Sequence, residues 1–233
     1  MTSIQIANLA LAKIGENPDV TDVTGLDTSL HGTYAALFYP QAMGIMLNAH
    51  AWSFAVETAT LTAESTNNNP LWWYAYQLPS DFLNLMLVVD ANFVEQAQQP
   101  ADSNFSIESN VLYTNINNAV ITYVSNAVAA SPFTPPAQGF SALFVEALAT
   151  LLAAYFAGAI IKGAEGAAAF QKYMQLFEPA LASAMANDAQ YRKVRPLYIP
   201  EAIRARWGYG LFPGLQAGET WAELGPVGSN NIS

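Results

Sequence analysis

One segment limits what this chain can become. From Leu143 to Ile161, nineteen consecutive residues (LFVEALATLLAAYFAGAII) hold a single charge, Glu146. A run this apolar leaves bulk water, either as the core helix of a globular body or as a membrane span. It is long enough to cross a bilayer. It is also rich in alanine, stands alone, and has no basic flank apart from Lys162. The small residues Ala149, Ala153, Ala154, Ala157 and Gly158 let another helix approach closely in water. The buried helix is the preferred reading, with the membrane span as its rival.

The rest of the composition sharpens that choice. Of 233 residues, 52% are apolar and 11% charged, against about 25% charged in ordinary soluble domains. So few charges imply that much of the surface faces something other than water. A large subunit interface and a membrane both satisfy this. Cysteine is absent, which removes disulfides, thiolate nucleophiles and cysteine metal sites. The start, MTSIQIANLALAKIGE, lacks a basic region and a small-residue cleavage site. The chain is therefore expected to be made and used inside a cell, and the sequons at Asn104 and Asn231 carry little weight.

Charge is unevenly distributed. Up to residue 161 there are 12 acidic residues and one basic residue, Lys13. Five of the eight basic residues (Arg192, Lys193, Arg195, Arg204 and Arg206) fall in one 15-residue window. An acidic body argues against wrapping nucleic acid, because duplex binding rests on neutralising phosphates with Lys and Arg. The basic window suits phosphate, an acidic protein surface, or simply a solvated helix end.

Periodicity predicts helices over about 3–14, 27–50, 141–161 and 167–192. Ser3 caps the first, and Asp27 or Thr28 the second. Pro40 should kink or split the second helix, and Glu178-Pro179 should bend the last. Between them the period changes. FAVETATL alternates, NLMLVV, VLYTN and AVITYVS suit short strands, and the Asn-rich connectors suit turns. Residues 52–126 are thus expected to form a small β-rich unit inserted between helices. In WWYAYQLPSDFL, Trp73 and Tyr76 are assigned to the core. Trp72 and Tyr74, on the opposite strand face, are candidates for a subunit contact. Ser80 or Asp81 would cap a short helical turn. From Pro196 the chain has little periodicity, many Gly and Pro, and scattered aromatics. It is expected to be an extended arm lying along another chain.

Catalytic signatures are missing. His31 and His50 match no metal-pair spacing, and there is no HExxH, GxSxG or P-loop lysine. The glycines at 208, 210 and 214 follow no strand and open no helix. Nothing singles out two carboxylates for glycoside hydrolysis. No residue is nominated as catalytic, and no metal or cofactor is expected.

Three segments nevertheless occur in a characteristic order: ALAKIGE from Ala10, Tyr39 through HAWSFA to Ala55, and YQLPSDFLNL from Tyr76 to Leu85. Together they resemble the head-to-tail adaptor family of short-tailed bacteriophages, the tail tubular protein A-like proteins. The likeness covers residues 7–90, and the helices from 141 to 191 in character only. Ala51 stands where the family often has proline, Asn84 where a basic residue is common, and Gly44-Ile45 where charges are common.

The resemblance implies a structural virion protein, made in the host cytoplasm and housed in the viral tail. A homo-oligomeric ring, usually a dodecamer, would sit between portal and tail nozzle, with DNA passing through its bore. The whole is expected to be a mainly α helix bundle, body 1–195, with the inserted β-rich unit and a C-terminal arm, 196–233. Arg192, Arg195, Tyr198, Arg204, Arg206, Trp207, Tyr209, Phe212 and Trp221 would contact the portal or a neighbour, and Trp72 and Tyr74 a subunit or the nozzle. The rival functions are a tail-associated peptidoglycan hydrolase and a membrane-associated helical protein.

Overall fold

The computed structural model describes residues 1–91, 105–129, 135–136 and 139–191. The chain divides into two units, Met1–Lys193 and Val194–Ser233. The arm and its candidate contact residues, Arg192 to Trp221, lie outside the described residues.

Local sequence explains the helices. The first, α1 (Ser3–Ile14), is capped by Thr2 rather than Ser3. Thr2 and Gln5 bond reciprocally, side chain to backbone, in a capping box, and Gly15 closes the helix in the left-handed region. α2 (Leu30–Ala49) is capped by Ser29 rather than by Asp27 or Thr28, and the Ser29 hydroxyl accepts from Gly32 N. It continues through Pro40 as one helix, so the expected alternative of a split does not occur. Pro40 is exposed, so the carbonyl it leaves unpaired can turn to water. α3 (Ala142–Ile160) is capped by Ser141 and α4 (Ala164–Ala189) continues through Pro179, again on the solvent side. Gly166 enables the tight turn between them, because a Cβ there would lie 1.9 Å from the Ile161 carbonyl oxygen.

α3 is the axis of the helical half. α1, α2 and α4 all pack on it, and twelve of its 19 residues are buried, Phe144, Leu148, Leu152 and Phe156 among them. By length and composition it could span a membrane; in this fold its apolar surface is the core.

The remaining strands are β1 (Val56–Thr60), β2 (Tyr74–Gln77), β3 (Phe82–Asp90), β4 (Phe105–Glu108), β5 (Val111–Thr114) and β6 (Ala119–Ser125). They form two antiparallel three-stranded sheets, ordered β1-β6-β3 and β2-β5-β4. In the first, β6 is central, pairing Val56 with Val124 on one side and Leu85 with Tyr123 on the other. β4 has no counterpart among the strands expected from alternation.

These sheets overturn the mainly α description. Among the described residues the protein is 49% helix and 20% strand, a mixed α and β fold. The physical reason lies in the core. Leu61, Tyr76, Leu78, Val88, Leu112, Ala119, Ile121 and Tyr123 form an apolar cluster of their own, separate from the helical one. A strand region with its own core is half of an architecture, not an insertion into a bundle.

Candidate interaction surface

The segment after α2 is held by one buried acid. Asp188, 6% exposed near the end of α4, accepts from Ser53 N at 3.0 Å and from Ser53 Oγ at 2.6 Å. His50 Nε2 lies 3.0 Å from its other oxygen. A carboxylate only accepts, so Nε2 carries the proton. Between these two residues, Trp52 is 1% exposed and its indole N–H donates to the Met46 carbonyl at 2.6 Å. Its ring meets Phe144 edge-on at 4.8 Å. The HAWSFA segment is therefore an anchor between α2, α3 and α4. Ser53 donates its hydroxyl hydrogen bond to Asp188, so the trio ties α4 to the segment after α2.

The Leu-Pro-x-Asp turn is anchored in the same way. It forms a turn without the helical cap assigned to Ser80 or Asp81, because Asp81 is engaged elsewhere. Its carboxylate accepts from Tyr123 Oη and Ser125 Oγ, and its carbonyl accepts from Asn126 N at 2.6 Å. Burial and the adjacent Asp81 push the Tyr123 phenol up to about 12. Two of the three segments that carry the family resemblance are thus structural clasps.

The loop between α1 and α2 is a third polar structure. Asp22 accepts from Thr24 N, Thr24 Oγ1 and Leu26 N, while Asp27 accepts from Thr21 and Ser29. The backbone bond from Leu26 lowers the Asp22 pKa foremost, as that from Thr21 lowers Asp27. His31 Nδ1 lies 2.6 Å from Asp19. Among the described residues, no group of three His, Cys, Asp or Glu is placed to hold a metal ion.

The aromatic stretch is partitioned differently from the sequence expectation. Trp73, assigned to the core, is 79% exposed, while Trp72 and Tyr74 are half-buried and Tyr76 is 1% exposed. β2 begins only at Tyr74, so the alternation does not extend back to the tryptophans. An asparagine network orders the preceding loop. Asn67 Nδ2 donates to the Trp72 carbonyl, Asn69 Oδ1 accepts from Leu71 N, and Asn115 Oδ1 accepts from Trp73 N. Trp73 and the 82% exposed Leu71 are therefore displayed on a hydrogen-bonded loop.

Further large apolar side chains face solvent on the helical half: Leu26 (84%), Leu30, Leu37 and Leu176. Only three basic residues, Lys13, Lys162 and Lys172, occur among the described residues, and Lys13 is paired with Glu146. The surface is acidic and apolar at once. No known protein family matches this chain, and no characterised protein is significantly similar to it in sequence.

Proposed function

We propose that this chain is a non-enzymatic structural subunit of a head-to-tail adaptor ring in a short-tailed bacteriophage. The observation that carries the reading is the exposed apolar surface on both halves of the body. Leu71 and Trp73 present it at the sheets, and Leu26 and Leu176 at the helices. Monomeric proteins rarely leave such side chains uncovered in groups, whereas a ring subunit hides them against neighbours. The acidic balance supports the same reading. A bore lined by carboxylates repels phosphate and lets a duplex slide. The ordered segments ALAKIGE, HAWSFA and YQLPSDFLNL supply the family likeness.

In this reading the arm from Pro196 docks on the portal or a neighbour, with Arg and Trp residues as anchors. The test is native mass spectrometry, or negative-stain imaging, of the chain mixed with portal rings of the same virus. A stoichiometric ring added to the portal is the expected result, and deletion of 196–233 should abolish it while leaving the body folded. No association by protein that circular dichroism shows to be folded would overturn the adaptor reading.

A further inference from the structure

α2 has no Asp, Glu, Lys or Arg along its 20 residues, although one side faces solvent. That side carries Leu30 and Leu37, 60% and 61% exposed, and Ile45 at 38%, with Thr33, Pro40 and Gln41 between them and Asn48 beyond. An exposed helix face ordinarily carries charged side chains.

The face also has relief. Thr33, Leu37, Gln41 and Ile45 recur every fourth residue and form a ridge. Ala36, Pro40 and Gly44 form the adjoining row, which is shallow because its side chains are small. A helix-interior glycine is less favourable than alanine. Among the described residues nothing requires one at position 44, since a Cβ there would meet no atom within 4 Å. Gly32 and Gly166, by contrast, are crowded by Asp27 and Ile161.

We propose that this face packs against α2 of a second copy, about a two-fold axis near Gln41. Charge selects the occupant. The chain carries a net charge of −10, so copies repel wherever acidic surfaces meet, and they can approach along a helix without charge. Shape agrees, because the ridge of each helix fits the shallow row of the other in the crossing class near −50°. One patch serves both partners, as two-fold symmetry requires.

The area sets the strength. A 20-residue helix is about 30 Å long and presents a strip about 10 Å wide, giving roughly 300 Å² per copy. Stable interfaces bury about 800 Å² per partner. The pair is therefore weak and forms only at high chain concentration. It belongs to the free chain and does not depend on the adaptor reading.

Sedimentation equilibrium of the full chain from about 10 µM to about 1 mM tests it. The average mass should climb from 25.1 kDa toward twice that value, and Leu37→Glu should hold it at the monomer. The chain has no cysteine, so Gln41→Cys offers a second readout. It should form a disulfide-linked dimer about tenfold faster than Gln175→Cys, because only residues near the axis come within disulfide reach. Constant mass to the highest concentration, association unaffected by Leu37→Glu, or equal oxidation rates for the two cysteine variants would each overturn the pairing.

Discussion

Replacing Asp188 with alanine removes the acceptor for three donors that come from residues more than 130 positions away in sequence. These are Ser53 N, Ser53 Oγ and His50 Nε2. A hydrogen bond to a charged group contributes about 1.5–3 kcal/mol, and a buried donor left unsatisfied costs about 1–3 kcal/mol. The contributions do not add fully, because half-buried Ser53 and His50 can partly recover water. The net loss should be about 3 kcal/mol. For a body of this size that corresponds to a fall of about 6–12 °C in Tm.

Asp188→Asn should cost less, about 1–2 kcal/mol. Its carbonyl oxygen still accepts from Ser53, and a neutral His50 can shift its proton to Nδ1 and accept from the amide through Nε2. Urea unfolding with unchanged m values measures both variants, with exposed Glu178→Ala as the control. If Asp188→Ala stays within about 0.5 kcal/mol of the parent, or matches the control, the acid does not clasp α4 to the HAWSFA segment.

Three further outcomes follow from named contacts. Tyr76→Ala should destabilise by about 3–5 kcal/mol, since the ring is buried and its hydroxyl donates to Ile116 O at 2.9 Å. Trp73→Ala should stay within about 0.5 kcal/mol, and equal losses in urea unfolding would contradict the partition of that aromatic stretch. Gly32→Ala should destabilise, although alanine is the better helix former, because the new Cβ would lie 2.2 Å from Asp27 Cγ. A neutral or stabilising result in a thermal melt would show that Asp27 moves freely. Burial raises the pKa of Tyr39, Tyr76, Tyr123 and Tyr155, and Tyr123 reaches about 12. The unfolded chain ionises near pH 10. These tyrosines therefore contribute stability that is fully present below about pH 10 and is lost as pH rises toward about 12. The urea midpoint should fall across that window, less steeply in Tyr123→Phe; an unchanged slope would remove Tyr123 from the account.

Local chemistry made the helices legible. Spaced apolar residues and a hydroxyl at each entry mark α1, α2 and α3, since capping and amphipathicity act over a few residues. The displaced details are local too: Thr2 supplies the capping hydroxyl where Ser3 was expected, Ser29 where Asp27 or Thr28 was expected, and Pro40 sits on a solvent-facing side where the helix continues without a split. Among the candidate contacts, Trp72 and Tyr74 prove half-buried, and the exposed tryptophan is its neighbour. Strand alternation cannot say where a strand begins, and the loop's asparagine bonds, not its apolarity, decide which ring faces out.

What the tertiary structure alone decided is everything that joins distant residues. The apolar content of residues 56–125 was visible, but not that β1 would pair with β6, Val56 opposite Val124, or that two sheets would enclose a core of their own. That pairing turned an expected helical bundle into a mixed fold. His50 and Asp188 look unremarkable apart and become a clasp only when α4 folds back across α3. Sequence determines the short-range terms, because caps and periods act between near neighbours. Which face of each element finds a partner depends on loop closure and packing across the whole chain.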